Sequence, residues 1–157
     1  MNINKIGEVT QSADGFGIAL NDRYREALTG LDGFSHIIVV WWADMSDEEE
    51  YRTVTVTEKP YTKGPDTLGI FATRSQFRPN PVAITTVFVA GIDHKTGTVY
   101  TPYIDALPGT SVIDIKPYQP CSDRPSGASV PEWCSHWPKS IEESGNFNWK
   151  AEFNFPL

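Results

Sequence analysis

Arg74 and Arg78 stand four residues apart in Gly69-Ile-Phe-Ala-Thr-Arg-Ser-Gln-Phe-Arg-Pro-Asn-Pro-Val82, where Pro79 and Pro81 bracket Asn80. Proline fixes its own φ and pushes the preceding residue out of the helical region. Arg78 and Asn80 both precede a proline, so both are expected to be extended and stiff. After a strand start over Ile70–Thr73, the segment is too polar for a core strand and too proline-rich for a helix. What remains is a rigid loop presenting guanidinium and carboxamide groups with little freedom, as a binding site requires. A guanidinium is a planar forked donor matched to carboxylates and phosphates. Capture of an anionic group is therefore the chemistry this loop offers, and pairing with surface carboxylates is its plainer use.

Other reactive side chains point less clearly. Cys121 and Cys134 have twelve residues between them, and His136 follows the second by two. Tetrahedral zinc sites bring ligands in close pairs, and a fourth ligand is missing, so no metal site is expected. Cys121 suits a nucleophile, although a buried free thiol is the commoner fate of cysteine. His36 lies in an apolar run and reads as a core histidine with one satisfied nitrogen. His94 falls in a hairpin and reads as solvated. Neither Gly-x-Gly-x-x-Gly after a strand nor a phosphate-binding Gly-Lys-Ser/Thr loop occurs.

These residues need a frame, and the hydrophobic period along the chain is mostly two. Strands are expected at Ile3–Thr10, around Phe16–Leu20, at Tyr51–Thr57, Val82–Ile92, Thr98–Ile104 and Ser111–Lys116. His36–Ala43 is a continuous β-branched and aromatic run, which predicts a central strand buried on both faces. Asp93–Gly97 makes a plausible hairpin turn. A helical turn over Arg23–Leu28, capped by Asn21 or Asp22, is the one convincing helix. Asp44–Glu50 reads as a solvated acidic loop and Lys59–Asp66 as a Pro/Gly loop. Asp114 and Lys116 share a strand face, which suits an ion pair. Beyond Gln119 the chain is loop-rich and carries Trp133, Trp137 and Trp149, with a last strand near Trp149–Phe155. These elements fit a mainly β fold: one domain over residues 1–157, with a small closed or nearly closed barrel (about 3–123), one short helix and a wrapping tail (124–157).

A chain of 157 residues buries a real core. A formal charge of -7 excludes a surface that is basic all over, but not a local patch around Arg74 and Arg78. Two cysteines and no signal-peptide pattern suggest a reducing cytoplasm, and no apolar run approaches a membrane span.

Three stretches carry a resemblance. Gly69–Pro81 resembles the signature of the TsaA-like (TrmO-type) family of S-adenosylmethionine-dependent methyltransferases. Ile104-Asp-Ala-Leu-Pro-Gly-Thr-Ser-Val-Ile-Asp-Ile-Lys-Pro-Tyr118 is similar to a second family motif, and Ala27-Leu-Thr-Gly-Leu-Asp-Gly-Phe-Ser-His36 to a third. They occur in the family's order between about Ile3 and Asp123. The resemblance implies an all-β barrel that dimerises, binds S-adenosylmethionine and methylates N6 of a modified adenosine beside the tRNA anticodon. Carried over by position, it places the cofactor against Asp44, Met45, Arg74, Thr86, Ile104, Asp105, Ala106 and Leu107. Trp41, Trp42 and Phe71 suit an apolar floor for its adenine and methyl group.

The departures bear on the acceptor. Asp44 replaces the family's usual histidine, and Pro108 stands where an aspartate is usual. Gln76 and Ala83 replace a proline and a glycine of the signature. The loop Ser12–Phe16 is short, and the second domain of longer members has no counterpart in these residues. Methyl transfer from a sulfonium depends mainly on in-line orientation, so no general base is assigned. Asp105, Asp114 and Asn80 are candidates for orienting an acceptor, and each also has an ordinary structural use. A small-molecule methyltransferase, and a barrel binding a nucleotide-like ligand or a partner without transfer, stay open beside the tRNA reading.

Overall fold

A computed structural model describes residues 2–155. Nine strands are present among the described residues: β1 (Gly7–Ser12), β2 (Gly15–Leu20), β3 (His36–Trp42), β4 (Val56–Glu58), β5 (Thr67–Gly69), β6 (Val82–Phe88), β7 (Gly91–Asp93), β8 (Thr98–Thr101) and β9 (Ser111–Pro117). Seven form an antiparallel sheet in the order β6-β3-β9-β1-β2-β8-β7, while β4 and β5 make a separate two-stranded hairpin. Helix among the described residues is limited to three single α-turns, α1 (Glu49–Arg52), α2 (Pro120–Asp123) and α3 (Ile141–Ser144), and five 3-10 segments, of which Asp22–Leu28 is the longest.

Side chains alternate across a strand, and β3 shows what that alternation selects. Ile37, Val39 and Trp41 are buried, whereas His36, Ile38, Val40 and Trp42 are only partly covered. The expected burial of this run on both faces is therefore corrected: one face packs, and the other is apolar but open. The packed face meets Val9, Ile18, Leu20, Val87, Val99 and Val112, with Leu28 and Leu31 closing over it. Gly7 allows β1 to lie close to β2, since a Cβ there would stand 2.3 Å from the Ala19 carbonyl oxygen.

Other boundaries move for identifiable reasons. The stretch expected as a first strand from Ile3 pairs only from Gly7. Arg23–Leu28 lies within a 3-10 turn over Asp22–Leu28, and the Asn21 amide donates to the Lys5 carbonyl instead of capping it. Tyr51–Thr57 alternates like a strand, yet Tyr51 and Arg52 close α1 on the Glu48 carbonyl; pairing starts only at Val56. Ile70–Thr73 is a 3-10 turn rather than a strand, because Thr73 donates both its N–H and its hydroxyl to the Ile70 carbonyl. Ile104 falls in the loop after β8. Trp149–Phe155 holds a 3-10 turn and a single bridge from Phe153 to Tyr61.

The hairpin over Asp93–Gly97 is present: Gly97 has φ 73° and donates to the Asp93 carbonyl, and the Asp93 carboxylate accepts from Lys95 and Thr96. At the sheet margins, β6 and β7 are the outer strands, and no ladder joins them among the described residues. Only Val89 and Ala90 separate them. Val89 donates to the Ser35 carbonyl beside β3, and Ala90 to the Tyr100 carbonyl on β8.

Candidate functional site

The register brings three connections to one end of the sheet. Trp42 pairs with both Val82 and Ser111, so β3 ends where β6 and β9 begin. Glu8 also pairs with Ser111, and Phe16 with Thr101, which places the end of β8 on the same side. The loops 43–55, 70–81 and 102–110 therefore all leave the sheet at this end. They carry every proposed cofactor residue except Thr86.

Hydrogen bonds tie the loops to one another. Ser111 N–H donates to the Asp44 carboxylate at 2.8 Å, joining the end of β3 to the Ile104–Thr110 segment. Ala43 N–H donates to the Pro81 carbonyl at 2.8 Å. Arg52 is the central brace. It binds the Asp47 carboxylate, donates to the Pro79 carbonyl at 3.3 Å and lies over the Trp42 ring at 5.3 Å. Asp47 also accepts from the Trp42 indole, and these bonds, the Arg52 contact first, hold its carboxyl below the ordinary value.

The arginine loop is stiffened by its own side chains as well as by proline. Ser75 N–H donates to the Thr73 hydroxyl, Phe77 N–H to the Ser75 hydroxyl, and the Arg78 guanidinium to the Thr73 and Ser75 carbonyls. Arg78 is thus spent on the loop, with Phe71 beneath it at 5.9 Å. Arg74 is exposed and forms no ion pair among the described residues. Of the two arginines, Arg74 is the one whose guanidinium makes no hydrogen bond or ion pair among the described residues.

The third segment follows β8. Ile104 is buried, Asp105 is exposed, Ala106 is partly covered and Leu107 is 62% exposed. Gly109, at φ 90°, follows Pro108 in a turn closed by Thr110 N–H on the Leu107 carbonyl, and Gly109 N–H bonds the Val9 carbonyl. Proline then glycine is the pair such a turn favours, which accounts for Pro108 in structural terms. Tyr103 sits beside Asp105, and burial first, then the Asp105 charge, pushes its hydroxyl up. Met45, at 79% exposed, and Leu107 leave apolar surface open at this end.

Several candidates lie elsewhere. Thr86 pairs with Ile38 four residues inside β6 and faces away from the core, so the fold does not bring it to the loop end. Trp41 is buried, its indole donating to Thr85, and is not a surface floor; Phe71 is 79% exposed. Asp114 pairs with Lys116 at 2.7 Å. Asn80 is exposed and accepts only through its carbonyl, from Val82 N–H. His36 is half-buried on the open sheet face, with Nδ1 2.9 Å from the Ser35 hydroxyl and its ring against Phe88 and Tyr118. His94 is paired with Asp32 at 2.8 Å rather than simply solvated. Cys121 is exposed, and Cys134 is the buried thiol. Surface cavities of about 410 and 370 Å³ lie beside His136 and Phe147 in the tail and beside Phe34 and Ile92.

The tail builds a second cluster of rings. Tyr61 stacks on Trp133 and meets Trp137 and Phe153 edge-on or tilted, each at 5.1–5.6 Å. Trp137 continues to Trp149, and Trp149 to Phe153. Glu152 is buried and accepts from the Trp137 indole at 3.1 Å and from His136 Nε2 at 2.9 Å. The His136 bond is the chief reason its carboxyl lies below the ordinary value near 4.5, and burial opposes it. A depressed folded-state pKa adds stability above the unfolded value, and that stability is lost as pH falls through the folded one. Tail tryptophan fluorescence is therefore expected to change below about pH 4.5. Glu152→Gln is expected to remove that acid step; an unaltered step would show another group responsible.

The fold is thus an antiparallel β domain that gathers three loops at one end, with one guanidinium there lacking a protein partner among the described residues. The chain belongs to the tRNA-methyltransferase O N-terminal domain family, whose model matches residues 5–124. It is 35% identical over 103 residues to the S-adenosyl-L-methionine-binding protein of Archaeoglobus fulgidus, covering 66% of this chain and 68% of that one. Against the tRNA (adenine(37)-N6)-methyltransferase of Escherichia coli it is 34% identical over 107 residues, covering 67% of this chain and 45% of that enzyme. The crystal structure of TrmO from Pseudomonas aeruginosa superposes with a TM-score of 0.60 at 25% identity, over 82% of this chain and 60% of that one. The chain thus spans less than two thirds of the methyltransferases it matches. Residues 125–155, with every ring of the aromatic cluster except Tyr61, lie beyond the family match.

Proposed function

We propose that the chain binds S-adenosylmethionine at the loop end of its sheet and methylates N6 of a modified adenosine near the tRNA anticodon. The carrying observation is that two of the three motif segments, Gly69–Pro81 and the stretch from Ile104 to Ser111, meet the connection after β3 at that end, secured by the Asp44–Ser111 and Ala43–Pro81 bonds. Bound there, the cofactor supplies a methyl group on a positively charged sulfur. Its carboxylate suits Arg74, the guanidinium left without a protein partner. Its apolar parts suit Met45, Ala106 and Leu107, and Asp44 and Asp105 supply acceptors. Thr86 fits this set least, since it faces the open side of the sheet, and its contact needs a second element laid against that face.

A homodimer supplies such an element, and this is the arrangement we favour. Ile84 and Phe88 are about half exposed beside Ile38 and Val40, leaving an apolar sheet face without cover in one chain. A nearly closed barrel is the matching architecture. Six interstrand steps of about 4.8 Å would set flat margins roughly 29 Å apart, whereas three Cα–Cα steps span at most about 11 Å. Because only Val89 and Ala90 link the outer strands, the sheet must curl to bring these margins together. The domain is read as residues 1–157, with a barrel over about 3–123 and the tail 124–157 around it. A cytoplasmic setting accords with the two free cysteines; no helix among the described residues is long and apolar enough to cross a membrane.

The test is transfer of labelled methyl from S-adenosylmethionine to bulk tRNA, with sedimentation of the same sample. Incorporation that falls steeply as salt rises is expected, because phosphate contacts release counterions. Cofactor binding without RNA labelling would redirect the assignment to a small-molecule acceptor. Refusal of the cofactor by folded protein would leave a binding domain of another kind, and a sedimenting monomer would remove the dimer.

A further inference from the structure

The arginine loop is fastened at both ends to the connection that follows β3. Ile70 N–H donates to the Thr55 carbonyl at 2.9 Å, and Ala43 N–H donates to the Pro81 carbonyl at 2.8 Å. Between those ends, adjacent residues of α1 supply two further contacts. The Tyr51 ring lies against the Phe77 ring, 4.5 Å between centroids, and the Arg52 guanidinium donates to the Pro79 carbonyl at 3.3 Å. Arg52 is itself aimed. Its Nε binds one oxygen of the Asp47 carboxylate, whose other oxygen accepts from the Trp42 indole at 2.8 Å. Arg78 carries the fixation inward by donating to the Thr73 and Ser75 carbonyls, on either side of Arg74. No residue of α1 is buried and none belongs to the main core, so core packing does not account for this turn.

We propose that α1 clamps the arginine loop, with Arg52 as the positioning residue for Arg74. This deepens the S-adenosylmethionine reading above and rests on it. Arg52 acts through the loop backbone and not on the ligand. With the loop held at its ends and at Phe77 and Pro79, gripping a carboxylate orders little beyond the Arg74 side chain. The ordering cost is then met largely in the unliganded protein. A guanidinium suits the task because its rigid fork serves two acceptors at once, here the Asp47 carboxylate and the Pro79 carbonyl. Lysine offers a compact ammonium on a flexible stem, which keeps the charge without the fork.

The decisive variant is Arg52→Met, which keeps an unbranched side chain beside Trp42 and deletes both donors. Calorimetric titration with S-adenosylmethionine is expected to show roughly three- to tenfold weaker binding, the usual loss for one hydrogen bond. In an Arg74→Ala background the same substitution is expected to change affinity no further, since a residue acting through Arg74 has nothing left to position. Arg52→Lys is expected to remain weakened, because a counter-charge for Asp47 alone does not hold the Pro79 carbonyl. Wild-type affinity in Arg52→Met, full rescue by Arg52→Lys, or equal weakening with and without Arg74 would each overturn the proposal. Hydrogen exchange on unliganded protein provides an arm independent of the cofactor. The amides of Ser75 and Phe77, which donate to side-chain hydroxyls within the loop, are expected to exchange faster in Arg52→Met while those of β3 do not change. Unaltered loop exchange would equally overturn it. Refusal of the cofactor by the wild type would refute the cofactor reading, and the exchange result would still decide whether α1 holds the loop.

Discussion

Arg74→Ala is expected to weaken S-adenosylmethionine binding at least about tenfold, or about 1.4 kcal/mol, with no shift of the thermal transition. The two halves of this expectation come from different observations. Arg74 is exposed and bonds no carboxylate among the described residues, so its removal strands no buried partner and opens no cavity. A charge-assisted contact to a ligand carboxylate is worth more than a neutral one, which sets the size of the loss. Arg78→Ala is the contrasting control. Its guanidinium holds the Thr73 and Ser75 carbonyls, so its loss is expected to disturb the loop along with binding. Unchanged calorimetric affinity in Arg74→Ala would return that arginine to the ordinary charged surface.

Trp137→Ala is expected to cost about 3 kcal/mol and to melt the tail before the sheet. Trp137 touches Tyr61, Trp133 and Trp149, and its indole donates to buried Glu152. Deleting it removes the centre of the ring cluster and leaves a buried carboxylate with one donor fewer. The main core draws none of its residues from this region, since it is built from β1, β2, β3, β8 and β9 with Leu28, Leu31, Ala43, Val87 and Ile104. Limited proteolysis is expected to trim the variant beyond Asp123 while protecting the sheet. A single cooperative loss of both parts would show that tail and sheet fold as one unit.

The strands of the main sheet were legible because their alternation is enforced by one packed face. His36–Trp42 was placed within a residue, and Gly15–Leu20 nearly so. What misled was apolar content without a period: the β3 run looked buried on both sides because its open face is also apolar. Ile70–Thr73 and Tyr51–Arg52 failed for another reason. Local bonds onto the Ile70 and Glu48 carbonyls bent those stretches into turns, and such competition has no hydrophobic signature.

Of the candidate site, the stiffness of the arginine loop followed from its prolines, and the spatial gathering of Asp44, Met45 and the 104–107 segment came only through the family resemblance. Thr86 could have been questioned from parity alone, because Val87 beside it faces inward. Arg52 and Tyr61 carry no local sequence signal: one lies in an apparent strand, the other in an apparent Pro/Gly loop. Their work depends on partners 27 and 92 residues away, such as Pro79 for Arg52 and the Phe153 bridge for Tyr61.

The passage from β6 to β7 through Val89 and Ala90 has a mechanical consequence. One stretch of backbone serves as the selvedge on both sides of the cloth, so neither side can unravel without pulling on the other. That seam sits at the rim where β3 starts, and the long connections 43–55, 70–81 and 102–110 hang from the opposite rim.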